Sequence, residues 1–332
     1  MHIVWIKDGR KGHEKQVEAL LDALGEFTNF KLTTLQSSTS TWQGYFYYYI
    51  CRVLGVFWIK YIRKNTLVLE PGVHIDWVIG AGQASYPWML ILKQLCIKHH
   101  KTGPKLLGVL SPQYAKKHFD ILCLPEHTKK SMQHWQSKLA ATRFWYFVGA
   151  LAKTSQNKVE PDIAMFTIGG VSKRYSIQAS RILKLLTKVL EKFPEKKWYV
   201  FTSKRTPASI EEGLKDLRKT YANVVCDNSV YEEIIQKAGT KMVTADSVSM
   251  IYECLSTRGK TYSVDLPIKR EDTIVKASQR LISEKSIGQV QYDERTNNLI
   301  LTDQDQDAQP LQEAERIARL LFAYMEVKPR KK

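Results

Sequence analysis

Cysteine is scarce and poorly arranged for cross-linking. The 332 residues contain five (Cys51, Cys96, Cys123, Cys226 and Cys254), odd in number, widely spaced and never as CxxC. That pattern excludes a disulfide framework, argues against a zinc site, and fits buried structural thiols in a reducing cytosol. Histidines are few as well, and His99-His100, His118, His127 and His134 lack metal-ligand spacing, so no metal is expected. No Gly-x-Ser-x-Gly elbow, P-loop, complete GxGxxG or short repeat occurs. The chain opens on a strand-like run, His2–Ile6, instead of a charged leader before an apolar stretch, so no secretory signal is expected. Acidic residues are the most telling shortage: 33 Asp+Glu face 50 Lys+Arg, a formal charge of +17. An excess of that size calls for a polyanionic partner, be it nucleic acid, an anionic membrane surface or phosphorylated ligands.

What is present is an ordinary globular chain long enough for two domains with separate cores. Its 44% hydrophobic and 25% charged residues exclude disorder. One segment stands out. Tyr45–Lys64 reads YFYYYICRVLGVFWIKYIRK, with Arg52 inside it and Lys60, Arg63 and Lys64 at its end. A spanning helix needs about 20 mostly apolar residues without a central charge. This segment fits an interfacial helix better, with aromatic rings such as Tyr48 and Trp58 at headgroup depth and Arg52, Lys60 and Arg63 on phosphates. A core helix with a basic end is the plainer alternative. Residues 1–150 hold 19 Lys+Arg against 9 Asp+Glu and the remainder 31 against 24, so the excess is slightly denser in the half with this segment.

Short apolar runs separated by helical patterns describe a doubly wound parallel sheet in each half. In the first half the runs are His2–Ile6, Asp76–Ile79, Leu106–Leu110, Ile121–Leu124 and Trp145–Val148. A polar stretch, Lys153–Asp162, reads as a linker. In the second half they are Ile163–Ile168, Trp198–Thr202, Val224–Cys226, Lys241–Thr244 and Thr261–Val264, with helices expected at Ile177–Phe193, Ser209–Thr220 and Val248–Ser256. The expected domains are 1–152 and 158–308, followed by a helix within 309–327 that packs back on the first domain. Asp303–Asp307 reads as a solvated loop before that helix. In open parallel sheets ligands bind beyond the carboxyl ends of the strands, so the loops there are where chemistry is sought.

Three loops stand out. Asp8–Gln16 follows the first strand, and Asp8, His13 or Glu14 is able to take a proton from a hydroxyl nucleophile, although Glu14 near a helix start is also favourable through the dipole alone. Gly169-Gly170 follows the first strand of the second half, and exposed backbone N–H groups beside Lys173 and Arg174 would make an anion site there. Thr202–Pro207 repeats hydroxyls and cations at an equivalent place. Thr244–Met250 runs into a helix that Asp246 or Ser247 can cap, with Glu253 one turn further on.

At these residues the chain resembles the elongated-mitochondria (ELM) fission-protein family. DGRKGHEKQ (Asp8–Gln16), IGAG (Ile79–Gly82), FDILCLPEH (Phe119–His127), IGG (Ile168–Gly170), TSKRTP (Thr202–Pro207) and TADSVSM (Thr244–Met250) occur in the family's order. Bacterial members resemble nucleotide-sugar glycosyltransferases of the GT-B fold. The resemblance implies two Rossmann-like α/β domains facing across a cleft, donor in the C-terminal one and acceptor in the N-terminal one. It makes Gly169, Gly170, Ser203, Lys204, Arg205 and Thr206 donor-site candidates, together with Asp246, Ser247, Ser249, Met250 and Glu253. Glu14 becomes the leading base, with Asp8 and His13 behind it, and Gly82 and Gln83 join the acceptor side.

Two functions from different classes follow. One is an inverting, metal-independent transferase of hexosyl or ulosonic-acid type, without a bound cofactor, that takes a UDP- or CMP-sugar as substrate. It would act on a lipid-linked glycan in lipopolysaccharide-core or other envelope glycolipid synthesis, from the inner face of the cytoplasmic membrane. The other is a non-catalytic membrane adaptor of the mitochondrial-fission type. Nucleic acid ranks last as a partner, because no recognised binding module accompanies the charge.

Overall fold

The protein is described from a computed structural model covering residues 1–37, 40–54, 73–100, 102–155, 157–305 and 309–326, excepting the side chains of 51–54 and 99. It divides into two compact units, Met1–Lys153 with Glu313–Lys332, and Thr154–Gln312.

The first unit is built on six strands: β1 (His2–Lys7), β2 (Lys31–Gln36), β3 (Trp77–Ala81), β4 (Lys105–Val109), β5 (Ile121–Pro125) and β6 (Arg143–Phe147). Every pairing is parallel, and the spatial order is β2-β1-β3-β4-β5-β6. Helices α1 (Lys11–Gly25), α2 (Thr41–Leu54), α3 (Tyr86–His100) and α4 (Lys129–Lys138) lie between the strands. The central strands read as unbroken apolar runs because both faces are covered. Alternation still divides them: Ile3 and Trp5 enter one core with α1, whereas Val4 and Ile6 enter another with α2 and α3. The order reverses between β1 and β3, so the crevice of this sheet opens at the carboxyl ends of those two strands.

The second unit holds β7 (Glu160–Ile168), β8 (Lys197–Thr202), β9 (Val224–Val225), β10 (Ala238–Thr244), β11 (Lys260–Val264), β12 (Gly288–Asp293) and β13 (Asn298–Thr302). Its order is β13-β12-β11-β10-β7-β8-β9, parallel except for the β12–β13 hairpin at one edge. The helices are α5 (Ala179–Lys192), α6 (Ala208–Thr220), α7 (Tyr231–Lys237), α8 (Val248–Leu255) and α9 (Thr273–Ser283). In α5 the residues Ile182, Leu185, Leu186, Val189 and Leu190 recur at helical spacing and are all buried. Here the reversal falls between β7 and β10. The last helix, α10 (Glu313–Glu326), buries Ala314, Ile317, Ala318 and Leu321 against the core that contains α1, in the first unit.

Several elements differ from the sequence expectation. β2, β12, β13, α7 and α9 are additional. β2 and β13 lie at sheet edges, where exposed residues alternate with partly exposed ones, and β2 carries no apolar run. β7 begins at Glu160, inside the stretch expected as linker. The stretch expected as a solvated loop is anchored at its start: Gln304 is buried and accepts the Thr261 N–H at 2.7 Å, and the exposed Asp303 accepts the Tyr262 hydroxyl at 2.6 Å. Burial pushes the Cys96, Cys123 and Cys226 thiols upward, which suits inert structural residues. Among the described residues no helix is long and apolar enough to cross a membrane.

Candidate functional site

In the first unit the reversal point is occupied by Asp8, at the end of β1, and Gly82, at the end of β3. Gly9 takes a left-handed φ of +80°, and its N–H meets Glu14 Oε1 at 3.0 Å. Glu14, the leading base by resemblance, thereby closes the loop at the start of α1 through one of its two carboxylate oxygens. Asp8 turns inward. Its side chain is 2% exposed, Oδ1 accepts the Arg10 N–H at 3.0 Å, and Oδ2 lies 2.7 Å from His13 Nδ1. A carboxylate only accepts, so Nδ1 carries a proton, and in the neutral imidazole the lone pair is then on Nε2. Among the described residues Nε2 has no hydrogen-bond partner, and the His13 side chain is 24% exposed.

Gly82 makes this pair possible. With φ +87°, a Cβ at this position would lie 2.0 Å from Asp8 Oδ2 and 2.4 Å from His13 Nδ1. Its N–H donates to Tyr86 Oη at 3.1 Å, and that hydroxyl donates to the Val109 carbonyl at 2.6 Å. Burial pushes the Tyr86 phenol far up, so it stays a neutral bridge between β3 and β4. Gln83 extends the bracing by donating to Ser111 O at 2.7 Å and accepting from Gln113 N–H at 2.9 Å.

In the second unit the reversal point brings Gly169-Gly170, Thr202–Pro207 and Thr244–Ser247 together. The expected cradle of free amides at the glycines is absent. Gly169 N–H donates to Thr244 Oγ1 at 2.8 Å, Gly170 N–H to Asp246 Oδ2 at 2.9 Å, and Val171 N–H to Arg205 O at 3.0 Å. The glycines serve close packing instead: a Cβ on Gly170 would lie 2.0 Å from the Arg205 carbonyl oxygen, and one on Gly169 2.2 Å from Asp246. Ser203 and Thr206 hydroxyls are spent on the Gly169 carbonyl, at 3.0 and 2.5 Å. Arg174 is committed to Asp272 at 2.7 Å, and Lys173 and Lys204 are exposed.

What this bracing presents is Arg205. Its guanidinium donates to Val171 O at 3.1 Å, Asp246 Oδ2 at 3.3 Å and Ser247 Oγ at 3.4 Å, yet the side chain stays 49% exposed. Asp246 is wholly buried, so it neither caps α8 nor reaches solvent; it orients Arg205. Ser247 sits at the N-cap position, but its side chain accepts no helix N–H. A half-exposed arginine is thus held beside the N-terminus of α8, where an anion is favoured. Ser249 is exposed and Met250 half-buried in the first turn. Glu253 accepts the Tyr231 hydroxyl at 3.2 Å, and burial followed by this charge pushes the phenol well up.

One residue behind this site carried no signal beyond its place in an apolar run. Lys241, fully buried on β10, donates to the carbonyls of Cys254 (2.8 Å), Thr257 (3.0 Å) and Arg258 (2.7 Å) and lies 2.6 Å from Thr257 Oγ1. It caps the C-terminal end of α8 with a cation, complementing the dipole that faces Arg205 at the other end.

The aromatic segment divides by face. Tyr45 and Tyr48 are buried, so Tyr48 belongs to the core of the first unit and not to a membrane-facing ridge. Trp42, Phe46 and Tyr49 are 76, 50 and 48% exposed, at the i, i+4, i+7 spacing of one helix face. The Arg52 side chain and Trp58, Lys60 and Arg63 lie outside the described residues.

The fold has known counterparts. Staphylococcus aureus MnaA, in a structure with UDP, is 12% identical, with a TM-score of 0.53 over 100% of this chain and 99% of that one. A putative UDP-N-acetylglucosamine 2-epimerase from Listeria monocytogenes is 10% identical, with a TM-score of 0.52 over 100% and 98%. Such likeness shows the fold, a GT-B arrangement of two Rossmann-like units. No curated protein matches the sequence. The sequence itself carries the lineage: the model described as mitochondrial fission ELM1 matches residues 11–325, and the chain belongs to that family.

Proposed function

We propose that the protein is a glycosyltransferase that moves a sugar from a nucleotide-sugar donor to a lipid-linked acceptor. The carrying observation is the Asp8–His13 pair: a buried carboxylate fixes the imidazole tautomer and leaves Nε2 available at the reversal point of the first sheet. In the reaction Nε2 takes the proton of the acceptor hydroxyl, the hydroxyl oxygen bonds to the anomeric carbon, and the nucleotide leaves with the electron pair of the broken bond. Arg205 and the N-terminus of α8 meet the charge on its phosphate. His13 is preferred to Glu14 as the base because a buried carboxylate orients its ring, whereas one Glu14 oxygen holds the Gly9 amide. Support for a lipid acceptor at the inner face of a membrane comes from the +17 charge and the exposed Trp42, Phe46 and Tyr49. An envelope glycolipid precursor suits that setting.

Calorimetry with a panel of UDP- and CMP-sugars, followed by assay of nucleotide release, tests the reading. Binding is expected, weakened about 10- to 100-fold by Arg205→Ala, the scale of a charged hydrogen bond. His13→Gln is expected to bind donor normally and release none. Absence of binding across the panel would refute the enzyme and favour the adaptor.

A further inference from the structure

Beside the Asp8–His13 site, the loop after β4 and helices α2 and α4 enclose a groove of about 310 Å³ in the first unit. Its walls are aromatic, formed by Tyr48, Tyr49, Tyr114 and Trp135, and its basic residues are Lys116, Lys117 and His118. Among the described residues no aspartate or glutamate lines it. The left-handed backbone of Ala115 (φ 58°) turns the chain into the short helical turn Lys116–His118. Lys116 is committed to the wall: its Nζ donates to Gln113 O at 3.1 Å and lies 4.8 Å from the Trp135 ring centre. Lys117 is exposed, and the His118 ring stands edge-on to Tyr48 with 6.3 Å between centroids.

Two continuities give the groove a direction. Tyr49 belongs both to its wall and to the exposed ridge of α2, where Trp42 and Phe46 stack with centroids 5.8 Å apart. At the other side Gln113 lines the groove and is held by Gln83, next to the Gly82 that abuts Asp8 and His13. An occupant with an apolar body and an anionic head matches both ends. A neutral sugar would find no carboxylate to accept its hydroxyls, and a bare anion would not use the aromatic walls.

We propose that this groove holds the phosphate-bearing end of a lipid, with the phosphate on Lys117 and His118 and the chain running along Tyr49, Phe46 and Trp42 into a bilayer. That this lipid is the sugar acceptor rests on the glycosyltransferase reading; the binding itself does not. Chemically it specifies an acceptor whose phosphate is close to the hydroxyl that is glycosylated.

The test uses the full chain and vesicles of phosphatidylcholine with or without phosphatidic acid, read by sedimentation. Phosphatidic acid is expected to strengthen binding. Lys117→Gln should remove about fivefold of the affinity for those vesicles, the effect of one cation at an anionic surface, and leave binding to phosphatidylcholine alone unchanged. The double change Trp42→Ala, Phe46→Ala should weaken binding to both by roughly tenfold or more. All three side chains are exposed, and unchanged melting temperatures would verify folding. An undiminished affinity of Lys117→Gln for phosphatidic-acid vesicles would overturn the proposal. So would wild-type protein released from them by inorganic phosphate while chloride at equal ionic strength leaves it bound, since the groove would then serve the free ion. No donor is present, so a failed donor panel would remove the transferase reading and leave this result standing.

Discussion

Replacing Gly82 by alanine places a methyl group where the Asp8–His13 pair sits. The added Cβ would lie 2.0 Å from Asp8 Oδ2 and 2.4 Å from His13 Nδ1, and Asp8 is fixed by burial and by the Arg10 N–H. The backbone already has φ +87°, which costs an L-residue about 1–2 kcal/mol. Separating a buried carboxylate from its imidazole forfeits roughly another 1.5–3 kcal/mol. A loss of about 3–4 kcal/mol is expected, or a fall of roughly 6–15 °C in the melting temperature for a unit of this size. Gly12→Ala is the internal contrast. Gly12 lies in α1 with nothing within 4 Å of its would-be Cβ, so its substitution should be neutral or stabilise by up to about 1 kcal/mol. The assay is thermal and urea unfolding of both variants, with the His13 ring followed by NMR. A Gly82→Ala protein that melts with the wild type and keeps the His13 Nδ1 proton in place would refute the geometry of the site.

Asp8→Asn keeps the shape of the pair but turns an amide N–H toward Nδ1, which moves the imidazole proton to Nε2 and removes the base. Transfer should fall by about 10³–10⁴ with donor binding retained; a smaller loss, below about tenfold, would argue that His13 is not the base. Lys241→Met removes the shared donor of the Cys254, Thr257 and Arg258 carbonyls, of which Cys254 keeps the Thr257 N–H and hydroxyl, and unfolding experiments should show a loss of about 2–3 kcal/mol. Burial lowers the Lys241 pKa from 10.5 to about 8, so between those values the unfolded chain binds the extra proton and stability rises with pH. The margin of wild type over Lys241→Met should accordingly widen from pH 8 to pH 10; a margin that narrows there would contradict it.

Local patterning accounts for most of the framework. Apolar runs at β1, β3, β4, β5, β7 and β10 and the stripe along α5 report burial, and burial is decided by residue type and periodicity. The glycine loops and the basic loop announced themselves for the same reason, since chain turns and exposed charge need particular residues at particular spacings. Edge strands were opaque because one open side removes the need for a long apolar run: β2 has none, and β13 only Leu299-Ile300-Leu301. The aromatic segment was read only in part. Its composition called for an interface, but which rings face the core depends on the helix phase against α3, and that phase puts Tyr48 inside and Trp42 outside.

Roles within the site depended on contacts distant in sequence. Asp8, His13 and Glu14 are equivalent candidates along the chain; the approach of Gly82, 74 positions after Asp8, buries the aspartate against the histidine, while the Gly9 turn engages the glutamate. Gly170 looks like a phosphate cradle until Asp246 arrives from β10 to take its amide and aim Arg205. Both outcomes follow from strand order, which no local pattern encodes. The reversal between β1 and β3, and again between β7 and β10, sets the ends of two strands side by side with no helix crossing between them. Residue chemistry supplies the functional groups, and that juxtaposition selects which of them stay free to act.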